Sequence, residues 1–334
     1  MTAPVTAPLT DPLAPRPVDR ALDPGFRHGQ STEPNYSGVT SFLRRRYAPD
    51  GGGAEVVVWG VPLDVTVSNR PGTRFGPRAL RAASAILDGD PLYPFHADPF
   101  GPLDVADAGD GVFDYGLPAG IPAAIEAQAA RHYARGAHLV TLGGDHFLTY
   151  PVLKALVART RAPVALVQFD AHQDTWDDDG SRVDHGTMIT RAVKDGLIRV
   201  ERSVQVGIRT HAPNDFGIAI IDGYSAGEMG PRALAAAITE RVGDAPAYVT
   251  FDIDALDPAF APGTGTPVCG GLSSREALET LRRLGGLDLK GFDVVEVSPP
   301  YDHAEITALA GASLAACYLG ILAGRKAAGE RIAP

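Results

Sequence analysis

Apolar positions along this chain fall into two rhythms. Short β-branched runs, Glu55 to Trp59, Leu139 to Leu142, Val164 to Phe169, Val204 to Ile208, Tyr248 to Phe251 and Phe292 to Val297, have the length and composition of buried strands. Between them lie Ala- and Leu-rich segments of helical periodicity, near Arg78 to Leu87, Ile121 to Ala134, Pro151 to Arg159, Pro231 to Arg241, Ser274 to Leu284 and Glu305 to Ala323. Strand and helix in alternation predict an α/β protein with three layers, α/β/α, around a mostly parallel central sheet in a single domain. No spacing repeats, which argues against a solenoid. Residues 1–24, rich in Pro, Ala and Thr, carry too little large apolar surface to offset the entropy of ordering. They read as a tail or an arm that orders against a neighbouring subunit, leaving residues 25–334 as the folded domain.

In a parallel sheet ligands collect at the carboxyl ends of the strands, and three runs here end in unusual residues. Leu139 to Leu142 leads into Gly143, Gly144, Asp145 and His146; Val164 to Phe169 into Asp170, Ala171, His172, Gln173 and Asp174; Tyr248 to Phe251 into Asp252, Ile253 and Asp254. In extended chain alternate side chains share a face, so Asp170, His172 and Asp174 can converge on one point, and Asp252 and Asp254 repeat the device. A lone DxD or DxH at a strand end is usually a loop cap. Three such ends in one chain with nine histidines are another matter, because carboxylates gathered without Lys or Arg repel one another unless cations neutralise them. Carboxylate and imidazole without thiolate favour Mn²⁺ or a similar divalent ion over a structural zinc site. Six ligands exceed one tetrahedral ion but suit two, and two ions lower the pKa of water between them enough to yield hydroxide near neutral pH.

Composition narrows the partners. A formal net charge of -10 leaves no basic footprint for nucleic acid or anionic membrane, and an acidic surface suits a cationic ligand. Cys269 and Cys317 are too few for a disulfide framework and read as reduced packing residues. The N-terminus lacks a basic region followed by an apolar run, and no stretch approaches the ~20 uninterrupted apolar residues of a bilayer span, so a cytoplasmic location is expected. Asp177, Asp178 and Asp179 read first as a solvated acidic loop and second as a draw for the ammonium end of a diamine.

The segments GGDHFLTYP (Gly143 to Pro151), FDAHQDTWDD (Phe169 to Asp178), DHGTMI (Asp184 to Ile189), FDIDALDPAFAPGTGTP (Phe251 to Pro267) and DVVEVSPPYD (Asp293 to Asp302) resemble the ureohydrolase family, the arginase- and deacetylase-fold enzymes. The resemblance runs from about Val56 to the C-terminus and takes in PGTRFGPRALR (Pro71 to Arg81) and SVQVGIRT (Ser203 to Thr210); it is strongest to the bacterial agmatinase branch. It implies that His146, Asp170, Asp174 and Asp252 hold one manganese and that His172, Asp170, Asp252 and Asp254 hold the other. It implies a proton-moving or substrate-polarising histidine at His185, a carboxylate at Glu296 for the guanidinium, and assembly as a homo-oligomer, trimer or hexamer. A planar fork of N–H donors pairs best with a carboxylate, the physical reason for an acid there.

The expected reaction is hydrolysis of a guanidino C–N bond in a small cationic substrate, agmatine plus water giving putrescine and urea. Glu296 aligns the carbon, and Asp174 takes a proton from the attacking oxygen and passes it to the departing amine. Trp176, large and mostly apolar, follows the last ligand of its strand end and suits an aliphatic chain without a carboxylate. Guanidinobutyrate, guanidinopropionate or a smaller guanidine compound also fits this pattern. A metal-dependent amide deacetylase on the same fold and a binding protein with only a structural metal are the more distant alternatives.

Overall fold

Each of the six apolar runs forms a strand, and two further strands complete the sheet. A computed structural model describes residues 18–28, 33–87, 92–95 and 98–334. Its strands are β1 (Val56–Val61), β2 (Val105–Asp110), β3 (His138–Gly143), β4 (Ala165–Phe169), β5 (Val204–Ile208), β6 (Ala219–Asp222), β7 (Pro246–Asp252) and β8 (Asp288–Val295). They form one sheet in the order β2-β1-β3-β8-β7-β4-β5-β6, with every pairing parallel. The two strands not legible in the sequence, β2 and β6, are its edges. An edge strand needs no unbroken apolar run: β2 reads VADAGD, and β6 alternates half-buried with exposed positions.

The helices are α1 (Gly76–Ser84), α2 (Ile121–Ala134), α3 (Thr149–Thr160), α4 (Met188–Lys194), α5 (Gly223–Val242), α6 (Ser274–Arg282) and α7 (Ile306–Ala327). Strand alternation divides the interior in two. Val56, Val58, Val140, Leu142, Val167 and Phe251 pack with side chains of α1, α5, α6 and α7. Val57, Trp59, Leu139, Leu166 and Tyr248 pack on the other face with those of α2, α3 and α4. This is the three-layer arrangement anticipated from the chain pattern.

The helix differences have local causes. Asp222 caps α5 by accepting from the backbone of Tyr224 and Ser225, and Gly230, at φ 67, breaks the helix just before Pro231; the sequence pattern therefore shows only the second half. At 22 residues, with a mean hydropathy of 1.9 over its most apolar window, α7 has the length and composition of a bilayer span, against the expectation that no stretch approaches one. Its apolar window is 78% buried within the protein, where α7 serves as the core helix against β8, α1 and α6. Cys317 is buried as expected, whereas Cys269 is exposed rather than packed. Of the expected N-terminal arm, residues 1–17 lie outside the described residues. Its last part turns at Arg20–Leu22, where the buried Ala21 accepts a backbone hydrogen bond from Tyr47.

One buried imidazole ties fold stability to acidity. His138, at the start of β3, is fully buried against Tyr318, whose hydroxyl lies 2.8 Å from Nε2. Burial drives its pKa down to about 3, against about 6.5 for an unperturbed histidine. Between those values the unfolded chain binds a proton that the folded chain refuses, so stability is fully present above the unfolded pKa and is lost as pH falls through the window. The loss by about pH 4.5 is roughly 2–3 kcal/mol. Urea unfolding of metal-free protein should therefore show a smaller fall in stability between about pH 7 and about pH 4.5 for His138→Gln than for the wild type. Equal falls in the two proteins would remove His138 as the cause.

Candidate metal centre and active-site cleft

The four central strands of the sheet are β3, β8, β7 and β4, and all the expected ligands leave the carboxyl ends of β3, β4 and β7. Sequence separation of more than a hundred residues is thereby folded into neighbouring strand ends. At each DxD or DxH the first aspartate bends the chain in the same way. Asp170 Oδ1 accepts from the His172 backbone N–H (2.6 Å), and Asp252 Oδ1 accepts from that of Asp254 (2.8 Å). Asp254 Oδ1 in turn accepts from the backbone of Ala171 (3.0 Å), tying the two strand ends together.

All six residues expected to hold metal come together. His146 Nδ1 lies 3.1 Å from Asp170 Oδ2, 3.1 Å from Asp174 Oδ2 and 3.2 Å from Asp252 Oδ2. His172 Nδ1 lies 3.4 Å from Asp170 Oδ1 and 3.1 Å from Asp254 Oδ2. Asp170 thus offers one oxygen to each cluster, the disposition of a bridging carboxylate. Asp252 Oδ2 faces the His146 side, while Asp252 Oδ1, like Asp170 Oδ1, also accepts the backbone N–H two residues on.

These donors fit divalent ions. Thr250 donates to Asp293 Oδ1 (2.5 Å), so its oxygen accepts from His146 Nε2–H (2.8 Å), leaving Nδ1 as a bare lone pair. That Nδ1 is buried without a hydrogen-bond partner, aimed at three carboxylate oxygens. The carboxylates call for positive charge. Burial, then repulsion from Asp254 and Asp170, pushes the Asp252 carboxyl well above its usual range. Burial resists charge on His172, yet Asp254 and Asp170 overcome it and hold the imidazole up to about 12. Both shifts answer an excess of buried negative charge, which a bound cation would also offset.

Glu296 and His185 sit beside the clusters. Glu296 follows β8 at φ 62, a conformation costly for a non-glycine residue, as is Asp174 at φ 53. Both are pinned by the backbone: Glu296 N–H donates to Gly144 O (2.8 Å), and Asp174 O accepts from Ile189 (3.1 Å). Glu296 Oε1 accepts from the His146 backbone (2.8 Å) and lies 3.4 Å from His185 Nδ1, while Oε2 is buried and unpartnered. Burial opposes charge on His185, but Glu296 raises it to about 10. Trp176, half exposed, lines a cleft of about 420 Å³ with His172, Asp174, Asp252, His185 and Ser68. The acidic run beyond it is not wholly solvated: Asp178 is held by Arg191 at two points, both 2.7 Å.

A model described as "Arginase family" matches residues 54–320. The chain belongs to the arginase family. It is 48% identical over 303 residues to an agmatinase from Chromobacterium violaceum, spanning 90% of this chain and 94% of that one. The crystal structure of a hypothetical agmatinase from Burkholderia thailandensis superposes with a TM-score of 0.91 at 50% identity, covering 93% of this chain and 99% of the other. The proclavaminate amidino hydrolase of Streptomyces clavuligerus superposes with a TM-score of 0.81 at 38% identity, covering 87% and 99%. As an arginase-family protein the chain is a binuclear metal hydrolase, and the clusters described above are the groups available for that metal.

What sequence reasoning missed lies behind the ligands. Asp293 is fully buried and accepts from Thr250, Tyr248 (2.8 Å) and Thr149 (2.9 Å), so it backs His146 through Thr250. Gln168 Nε2 donates to Asp170 Oδ2 (2.8 Å). The signal was a polar residue inside an apolar strand, since such a group is buried only with partners. Thr250→Val, close to isosteric, should leave His146 Nε2–H without an acceptor and weaken metal binding about 10–100-fold, as removal of a ligand's hydrogen-bond support typically does. Competition with a metal chelator reads this directly, and Thr250→Ser should restore it; unchanged affinity in the valine variant would disconnect Thr250 from the metal.

Proposed function

We propose that this chain hydrolyses agmatine to putrescine and urea, with manganese as its metal. The observation that carries the reading is the meeting of all six oxygen and nitrogen ligands in a chain that is 48% identical to an agmatinase over 90% of its length. In this reading His146, Asp170, Asp174 and Asp252 hold one ion, and His172, Asp170, Asp252 and Asp254 the other. When bound, two such ions offset the carboxylate charge and make water acidic enough to attack near neutral pH.

The chain's own groups supply the rest. Glu296 Oε1 is occupied by the His146 backbone, so the buried, unpartnered Oε2 is the acceptor left for a guanidinium N–H. A charge-assisted bond there fixes the central carbon over the cluster. Asp174, at the border between cluster and cleft, accepts the proton of the attacking oxygen and delivers it to the departing nitrogen. His185, beside Glu296 on the cleft wall, is the second proton-handling group, and the apolar face of Trp176 receives the aliphatic chain.

Substrate tail chemistry is set by the outer cleft, where Asp177 and Asp184 stand with Arg182. Two carboxylates against one guanidinium favour an ammonium tail; Arg182 is the feature that supports guanidinobutyrate or guanidinopropionate as the second reading. We further read residues 25–334 as the catalytic domain, preceded by an arm, in a cytoplasmic homo-oligomer, trimer or hexamer.

Urea release by manganese-reconstituted protein tests the substrate. Agmatine should exceed arginine, guanidinobutyrate and guanidine in kcat/KM by about 100-fold, the effect of a charged contact of about 3 kcal/mol. Preference for a carboxylate-bearing compound would transfer the assignment to the second reading, and no urea from any of them would end the proposal. Asp254→Asn should lower bound metal below the wild-type content, measured by elemental analysis.

A further inference from the structure

Asp145 stands beside the ligand His146 but spends its carboxylate on the protein. Fully buried, it accepts from the backbone of Phe147 through Oδ1 (3.0 Å) and from Thr66 through Oδ2, which takes both the backbone N–H (3.0 Å) and the hydroxyl. Thr66 lies in the connection from β1 to α1, and that connection is tied down twice more. Asn69 Nδ2 donates to Gly265 O (2.9 Å), and Asp64 Oδ2 accepts from Gly72 N–H (2.9 Å) and Arg74 Nε (3.1 Å). Between these anchors Ser68 is exposed to the cleft, with its Oγ 3.0 Å from His185 Nε2.

The contacts close a ring. Asp145 holds the segment carrying Ser68, Ser68 meets His185 Nε2, His185 Nδ1 faces Glu296, and Glu296 accepts from the backbone of His146, the residue after Asp145. The carboxylates facing the imidazole are Glu296, Asp145 and Asp174, with Asp184 on the adjoining backbone. Glu296 claims the proton at Nδ1, so proton exchange with the cleft falls to Nε2. A hydroxyl both accepts and donates, so Ser68 serves Nε2 in either protonation state without a turn of the ring.

We propose that Ser68 is a positioning residue for His185, holding Nε2 toward the cleft so that the imidazole exchanges its proton there. This rests on the proposed hydrolytic activity. Ser68 bonds to no metal-cluster side chain, so its removal leaves the metal in place and acts through the imidazole alone.

The test compares manganese-loaded wild type, Ser68→Ala, Ser68→Thr, His185→Ala and the Ser68→Ala, His185→Ala double variant. With metal content equal to wild type, Ser68→Ala should lower kcat on agmatine about 5–10-fold, the worth of one hydrogen bond, with KM little changed. Ser68→Thr should recover it, and Ser68→Ala should cost nothing further once His185 is gone. Acylation of His185 by diethyl pyrocarbonate, followed by peptide mass mapping, should be faster in Ser68→Ala than in wild type. An unchanged kcat, an equal loss in the His185→Ala background, or failure of threonine to rescue would overturn the proposal. Should the wild type release no urea from any guanidino compound, the activity reading fails by itself. The acylation rate still decides Ser68, and an unchanged rate would overturn its role.

Discussion

Everything at the centre of this protein follows from placing the carboxylates of Asp170, Asp174, Asp252 and Asp254 where water cannot solvate them. Each is at least nine-tenths buried. Such a group is stable only if positive charge is delivered to it, and among the described residues no lysine or arginine forms an ion pair with any of the four; the nearby Arg209 spends its donors on backbone carbonyls, that of Asp254 among them. What it delivers instead is a geometry for cations: two imidazole nitrogens, aspartate oxygens already turned by hydrogen bonds to backbone N–H groups, and a bridge in Asp170. The surroundings are arranged to keep that geometry when the charges pull on it. Asp174 and Glu296 are held at positive φ by backbone bonds, and His146 is braced through Thr250 to a buried aspartate.

The same constraint explains which parts were readable in the sequence. Strands buried on both faces must be apolar throughout, so the six inner ones stood out, while β2 and β6 at the edges did not. The candidate ligands, which the structure brings together, were readable because each breaks an apolar run at the one point where a parallel sheet places function. Their supports were not, since Thr250, Asp293 and Gln168 lie inside strands and count, residue by residue, as interruptions of a pattern. Only the pairing of β7 beside both β4 and β8 shows that these polar groups face the ligands. Ser68 was the least legible of all. Its role depends on a loop held by Asp145, and nothing in the local sequence of that loop marks it.

Strand ends and loops divide the work. The candidate ligands sit at the ends of parallel strands, and the proclavaminate amidino hydrolase of Streptomyces clavuligerus, 38% identical, shares the architecture at a TM-score of 0.81. The outer cleft proposed to select among tails is lined by Trp176, Asp177, Arg182 and Asp184, which all lie within one connection between β4 and α4. That connection is not loose. Arg191 grips Asp178 at two points, Asn214 donates to Asp177, and Trp176 donates its backbone N–H to Gly186 O. A charge pattern held this way discriminates between tails more sharply than a mobile acidic loop, because an ammonium or carboxylate meets fixed partners and cannot draw the loop into compensation. In the proposed reading, specificity is a property of how this one cross-braced segment is anchored, above strand ends that hold the metal.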